Sequence, residues 1–512
     1  MGSVGYAWLI ENLKLPVRAP ERTAQIASSV NRRVDVPDRI LFPVGVALDD
    51  TPLGHLEFAL RHEGVNLEVI DAAFEHIAPG SLIERLRAAP NGEYIRRACF
   101  LWEWLSGGSL DAGVTPTGNY VDLFPADDYV VAAKPVRNTS YRVNDNALGN
   151  PRFCPVVRRS AIPADTDLVP LMEEARLRIF EASTSADLYD RAVRYLYLSE
   201  TRGSFAIENE TPSAQKEERF VQLLRRTGER ATVTEDWLAD LQNTVVKDAF
   251  SHEASYRVRQ NRLEDSAGRI TFFPPAPDVL RELMAGWEAF VNDTKRGVDP
   301  LIKAACASFG FVYLHPFMDG NGRLHRFMIH QVLAQAGVVP ENIIIPVSAV
   351  IMKNIPDYLN VLRSFSVPTT RLWDYRRGDP DPLIIQQPGS RPYRFFDASR
   401  EVSFLHAMIK SAILHEIPQE VAYLRGYDEA FAKIDAKYNL PKNDISALIR
   451  MVKSNGGKLS GNRRKQYSHL PGEVLDDIEA VINEAFAAGP PTNKQPTAPT
   501  EDSSPSGDSP QP

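Results

Sequence analysis

Twelve residues constrain this chain more than any others: His315-Pro316-Phe317-Met318-Asp319-Gly320-Asn321-Gly322-Arg323-Leu324-His325-Arg326. An apolar run, Ala304 to Leu314, precedes them, and Leu324, Phe327, Met328, Val332 and Leu333 recur mostly at helical spacing. The pattern predicts helix, tight loop, helix. Two glycines around an asparagine let the backbone turn sharply where the second helix begins. A helix start offers unpaired N–H groups and a partial positive charge, which suit an anion. Arg323 and Arg326, three apart, fall near one face of the same first turn. The stretch predicts a phosphate cradle with His315 at its rim.

Composition sets the broad class. A chain of 512 residues is long enough for about two to four domains. It is 43% hydrophobic and 24% charged, as a globular protein is, and its net charge of -8 gives no bulk attraction to nucleic acid or membrane. Cys99, Cys154 and Cys306 are scattered, which argues against a disulfide framework and for a reducing compartment. The N-terminus shows no basic region followed by an apolar core, and no apolar run approaches the ~18 residues of a membrane span. The cytoplasm is the expected location.

Four regions are expected along the chain. Residues 1–160 read as an N-terminal accessory domain, helical over Leu53–Ile70 and Ser81–Leu105, with short strands or extended loop over Asn119–Val136. His55 and His62 have no third ligand nearby and read as packing or surface histidines. Residues 163–379 are helix-rich, with helices over Leu168–Ala182, Asp187–Ser199, Ala214–Arg226 and Thr234–Ala249, one from Asp278, and one over Pro356–Phe365. Ile343–Pro346 reads as a short extended run. Asp265-Ser266-Ala267-Gly268 joins Arg259–Leu263 to Arg269–Phe273 as a β-hairpin, closed by Pro274-Pro275-Ala276-Pro277. Ser204, beside Gly203, reads as a helix cap, and Glu208 as a solvated acid at a helix end. Residues 400–487 predict a helical domain, with a basic-edged turn at 455–465. Residues 488–512 are rich in Pro, Ser, Thr and Asp and should be disordered. The expected fold is mainly α with one small hairpin.

Three chemistries compete for the central stretch. A P-loop needs Lys followed by Ser or Thr after its glycines, and Gly322-Arg323-Leu324 has neither. A zinc hydrolase wants two ligands on one helix face, but His325 and His330 are five apart and His315 precedes the turn. Nucleotidyl transfer fits better, because it asks for positioning and charge neutralisation. The Gly320-Asn321-Gly322 backbone would hold inner phosphates, and Arg323 and Arg326 outer ones. Asp319 is a hard oxygen ligand suited to magnesium, and His315 can take a proton near neutral pH.

The stretch matches at every fixed position the signature HPFx(D/E)GNGRxxR, and the region around it resembles the Fic family over about residues 163–379. Residues 1–160 and 400–487 resemble accessory segments of some bacterial members more weakly. The resemblance implies a Fic-type helical core that moves AMP from ATP to a Ser, Thr or Tyr hydroxyl of a target protein. It makes His315 the base and Asp319 the Mg2+ ligand. Gly320, Asn321 and Gly322 become an anion hole, Arg323 and Arg326 the β- and γ-phosphate ligands, and Phe317 the anchor in the core. Arg259–Pro277 resembles the family's flap, whose Gly268, Arg269, Ile270 and Thr271 would clamp the target. Tyr358 stands where members place an adenine-side contact, while Phe365 replaces an asparagine that some of them carry. Ser204, Glu208 and Asn209 resemble the inhibitory pattern (S/T)xxxE(G/N), which implies that Glu208 pairs with Arg326. Doc-type kinases of the same family carry lysine where this chain has Gly322, so phosphate transfer is not implied. Other nucleotide donors, AMP removal, self-modification, a homodimer, and a non-catalytic regulator contacting nucleic acid stay open.

Overall fold

The computed structural model describes residues 2–182, 186–227, 232–246, 251–339, 343–376, 378 and 381–487. The tail at 488–512 and the end of the helix expected over 234–249 lie outside them. The described residues are mainly helical, with short strands in sheets of two to four. They fall into two units, 2–176 with 193–416, and 177–192 with 417–487.

In the first unit, the N-terminal residues pack several helices around a core that includes Leu56, Val69, Ile70, Leu82, Ile95 and Leu101, while a four-stranded sheet buries Ala24, Ile40 and Phe42 in a separate cluster with Val4 and Phe58. Neither long helix expected here is continuous. Leu53–Ile70 divides into Pro52–His62 and Leu67–Phe74. Gly64 makes the break at φ +90°, where a Cβ would lie 2.3 Å from the Tyr129 hydroxyl. Asn66 then caps the next helix, accepting from the Val69 N–H at 3.2 Å. Ser81–Leu105 divides around Pro90–Gly92 into Pro79–Ala88 and Glu93–Ser106, since a proline there cannot donate a helical hydrogen bond. His55 stacks on Trp8 and accepts from the Gly5 N–H at 3.2 Å, as a packing histidine does. Cys154–Val156 pairs in parallel with Phe395–Asp397, and Arg391 reaches Asp71 at 2.7 Å. These links join the N-terminal residues to the helical region that follows.

Around the central stretch stand α1 (Ala186–Ile207), α2 (Glu235–Val245), the strands β1 (Leu263–Glu264) and β2 (Ile270–Phe272), α3 (Pro277–Asn292), α4 (Pro300–Leu314), α5 (Asn321–Gln335) and α6 (Val347–Lys353). Helix α4 is buried on nearly every side. Asp299 caps it by accepting from the Ile302 N–H at 3.1 Å, and Pro300 occupies its first turn. Trp287 of α3 donates to the Ala307 carbonyl at 2.8 Å, and Gly310 admits the Phe153 ring. Ile343–Ile345 is buried and forms no strand. The expected hairpin is present as the antiparallel pair β1–β2.

Helix α1 runs on past Ser199 to Ile207, so Ser204 lies inside it and is no cap. Two features seat it on α6. Glu200, 1% exposed, accepts from the Ser348 N–H at 2.7 Å and bonds His330 Nε2 at 2.9 Å. Gly203 lets the backbones meet: a Cβ there would stand 2.7 Å from the Ala349 nitrogen and the Ser348 carbonyl carbon.

The second unit packs Ile417–Lys437, Lys442–Ser454 and Gly472–Ala487 around Ile434, Ile445, Leu448, Ile449, Ile478 and Ile482. The expected turn at 455–465 contains a short helix, Gly461–Gln466, capped by Ser460. Its basic edge is partly neutralised, because Arg464 pairs with Asp476 at 2.6 Å and Glu479 at 2.7 Å. Among the described residues no helix is long and apolar enough to cross a membrane.

Replacing Gly203 with alanine should lower stability by about 1–2 kcal/mol in urea unfolding. The overpacking against α6 outweighs alanine's helix propensity of about 1 kcal/mol. A variant as stable as the parent would show that the two backbones do not press on each other.

Candidate active site

The loop from His315 to Gly320 starts with two backbone choices. Helix α4 ends at His315, whose φ of +50° is left-handed, and Pro316 cannot continue the helix. Gly320, at φ +87°, turns the chain into α5. The loop's own N–H and C=O groups then need partners. Asn321, expected in the anion hole, uses its side chain to close the loop. Its Oδ1 accepts from the Phe317 N–H at 3.0 Å and its Nδ2 donates to the Phe317 carbonyl at 2.7 Å. Glu253 accepts from the Met318 N–H at 2.6 Å, and Asn261 donates to the Met318 carbonyl at 3.2 Å. Arg257 donates to the Pro316 carbonyl from its backbone N–H and to the His315 carbonyl from Nε, both at 2.8 Å. Phe317 is fully buried and packs on Tyr256.

His315 Nδ1 lies 3.2 Å from the Val312 carbonyl. A carbonyl can only accept, so Nδ1 carries the proton and Nε2 keeps its lone pair. Burial pushes the ring down to about 4; Arg257 adds to that, while the Val312 carbonyl, Glu208 and Asp319 oppose it. The ring is neutral at pH 7, as a base must be.

The two arginines do not share a turn. Arg323 lies in the first turn of α5 and Arg326 in the second, at 2% and 1% exposure. Both receive the end of α1. Arg326 donates from Nη2 to Glu208 Oε1 at 2.9 Å and to the Ser204 carbonyl at 2.7 Å, and from Nε to the Ser204 hydroxyl at 3.0 Å. Burial opposes the Arg326 charge, but Glu208 and Tyr358 outweigh it and hold the pKa above its ordinary value. Glu208 also covers the start of α5, where a Cβ at Gly322 would lie 2.2 Å from its Oε1. The chain leaves α1 through Asn209 at φ +56°, a left-handed position that asparagine tolerates. Arg323 donates to Glu210 at 2.8 Å, the Val245 carbonyl at 2.9 Å and Asp319 Oδ1 at 3.0 Å, and lies over the Phe205 ring.

Asp319 is half-exposed and also takes the Gly320 N–H on Oδ1 at 2.6 Å. Among the described residues no three His, Cys, Asp or Glu side chains group to hold a metal. An ion at Asp319 would therefore draw its other ligands from phosphate and water, which suits magnesium. Tyr358, expected at the adenine, is 4% exposed and stands beside Arg326 and His325. Phe365 stacks on Tyr313 at 4.0 Å. In the flap, Gly268 supplies the turn at φ +69°, Arg269 pairs with Asp265, and Ile270 and Thr271 belong to β2. Their hydrogen bonds stay in the hairpin or reach Thr370. Sequence reasoning does not single out Glu210, Glu253, Arg257 or Asn261. Glu210 adjoins the 204–209 pattern and could have been found there. The others act through backbone groups and leave no spacing signal.

Burial also lowers His325, to about 3. Both histidines have folded pKa values below their ordinary 6.5, so the stability they allow above pH 6.5 is lost as pH falls toward 4. His325→Leu should flatten that acid loss by up to about 1.4 kcal/mol per pH unit, the slope of one proton, in urea unfolding at stepped pH. An unchanged slope would mean that His325 titrates freely in the folded chain.

Residues 232–333 match the Fic/DOC family model. Protein adenylyltransferase fic-1 of Caenorhabditis briggsae is 29% identical over 130 residues, 25% of this chain and 24% of that protein. Protein adenylyltransferase Fic of Drosophila grimshawi is 39% identical over 74 residues, 14% of this chain and 15% of that one. The chain thus spans a quarter or less of these relatives' lengths. A crystal structure of a Fic domain containing signaling protein from Bacteroides thetaiotaomicron aligns with TM-score 0.37 and 18% identity, over 50% of this chain and 97% of that one.

Proposed function

We propose that this chain, whose residues 232–333 carry a Fic domain, is a protein adenylyltransferase held off by its own Glu208. The observation that carries this is the Glu208 carboxylate on Arg326, packed against Gly322 at the start of α5. A helix start flanked by buried arginines is an anion site, and an internal carboxylate sits in it.

The chemistry follows from the residues around the loop. His315, neutral and with Nε2 unprotonated, accepts the proton of a target Ser, Thr or Tyr hydroxyl. The hydroxyl oxygen forms a bond to the α-phosphorus of ATP, the α–β bridging P–O bond breaks, and pyrophosphate leaves. The backbone around Gly320–Gly322 and the helix start hold the inner phosphates, and Arg323 and Arg326 the outer ones. Asp319 would hold magnesium, which neutralises phosphate charge when bound. While Glu208 occupies Arg326 and Glu210 occupies Arg323, neither guanidinium is fully free for a phosphate. The hairpin β1–β2 presents the target segment by strand addition. The acceptor is a protein hydroxyl; the chain's own surface and a second copy are included among candidates.

Glu208→Gly should raise ATP-dependent AMP incorporation on the order of 10- to 100-fold, the range that a coupling of about 1–3 kcal/mol produces. Labelled ATP and mass spectrometry of modified proteins measure it, with UTP and GTP as donor controls. Adding His315→Ala should lower the released activity by roughly 10²- to 10⁴-fold, the usual share of a general base. A Glu208→Gly protein that labels nothing would remove the inhibitory role. Labelling that survives His315→Ala would remove the base.

A further inference from the structure

Arg257 is 3% exposed and stands just before the hairpin, yet no side-chain carboxylate is among its hydrogen-bond acceptors in the described residues. Its guanidinium donates to three backbone carbonyls from three places in the chain. Nε reaches His315 at 2.8 Å, Nη1 reaches Arg259 at 3.1 Å, and Nη2 reaches Pro275 at 2.5 Å. Its own N–H reaches the Pro316 carbonyl at 2.8 Å. Arg259 precedes β1 and Pro275 follows β2, so one side chain holds both ends of the hairpin segment and the peptide that bears His315. Burying a charge against neutral dipoles is costly, and burial pushes this guanidinium down to about 10. A planar fork of five N–H donors is the side chain that can reach three carbonyls at once; a lysine ammonium cannot hold that geometry.

We propose that Arg257 is a positioning residue for the base His315, fixing the ring relative to the hairpin that presents the target hydroxyl. The inference rests on the adenylyltransferase reading above. It explains why His315 can keep a left-handed φ at the edge of the loop: its carbonyl is held from outside, and Nδ1 is held by Val312 from inside. It also sets the electrostatics of the ring. Among the described residues, the charges that act most on the His315 ring are Arg257 from the segment before the hairpin, Glu208 from the end of α1 and Asp319 from the loop itself. Arg257 is the cation among them, so it opposes protonation of the ring while the two carboxylates favour it. A displacement of about 1 Å between base and nucleophile is enough to cost on the order of 100-fold in rate, which makes a strut at this place matter.

The test is done in the 512-residue Glu208→Gly chain, with Arg257→Lys and Arg257→Met. Steady-state AMP transfer gives kcat and KM for ATP, and labelled-histidine NMR gives the His315 titration without reference to activity. Both variants should lose on the order of 10- to 100-fold in kcat, with KM for ATP within about threefold of the background. Arg257→Met should also move the His315 pKa and the acid limb of the pH–rate profile upward, whereas Arg257→Lys, which keeps the charge, should leave them nearer the background. Full kcat in Arg257→Met, or an unmoved His315 titration, would overturn the assignment. Collapse of both folded variants would also overturn it, by making Arg257 a residue of the fold alone. Absence of AMP transfer in the Glu208→Gly background would defeat the functional reading instead, and the NMR titration would still report whether Arg257 acts on His315.

Discussion

A chain that turns between two packed helices must find partners for the polar backbone it exposes in the turn. Here that obligation organises everything around it. Asn321 bonds Phe317 twice, Glu253 takes the Met318 N–H, Asn261 the Met318 carbonyl, and Arg257 the carbonyls of His315 and Pro316. Gln242 reaches the Asp319 carbonyl at 3.3 Å. The partners come from three places, Gln242 from α2, Glu253, Arg257 and Asn261 from the segment before the hairpin, and Asn321 from α5, so the loop's shape depends on all three together. An irregular loop of six residues is thereby held by side chains, and the histidine at its start is held with it.

The two arginines pose the opposite problem. A guanidinium at 1–2% exposure needs compensation, and each is compensated by acids outside α5 as well as by carbonyls. Removing one partner of such a pair leaves a buried charge uncovered, whereas exchanging one anion for another does not. The acids are themselves part-exposed, Glu208 at 37% and Glu210 at 29% of side-chain surface, so water can reach them when they leave. A site arranged this way tolerates substitution of carboxylate by phosphate far better than emptiness.

The central loop was legible because its residues act through their identity: glycines where φ is positive, a histidine with a free nitrogen, a carboxylate, two guanidiniums. The 204–209 pattern was legible only through its resemblance to a family pattern, since its residues by themselves read as a cap and a solvated acid, and its asparagine proves to be the left-handed exit from α1. Other parts were not. The breaks at Gly64 and Pro90–Gly92 hide within a continuous apolar period, because the helices on either side pack into one core. Ser204 read as a cap since it follows a glycine, but that glycine serves a close approach of two helices. Arg257 and Glu253 bond to backbone atoms, which every sequence possesses, so no spacing betrays them. Tyr358, expected where family members place an adenine-side contact, is buried beside Arg326 and His325, and its surroundings come from elements distant in sequence.

Gly322 carries a last consequence. The Glu208 carboxylate fills the volume in which any larger residue at 322 would place its first carbon. A lysine at this position would have to displace the Glu208 carboxylate from where it lies. Residue 322 and the Glu208 carboxylate therefore compete for the same space. A chain with any side chain at 322 would have to move the Glu208 carboxylate, and with it the contact to Arg326.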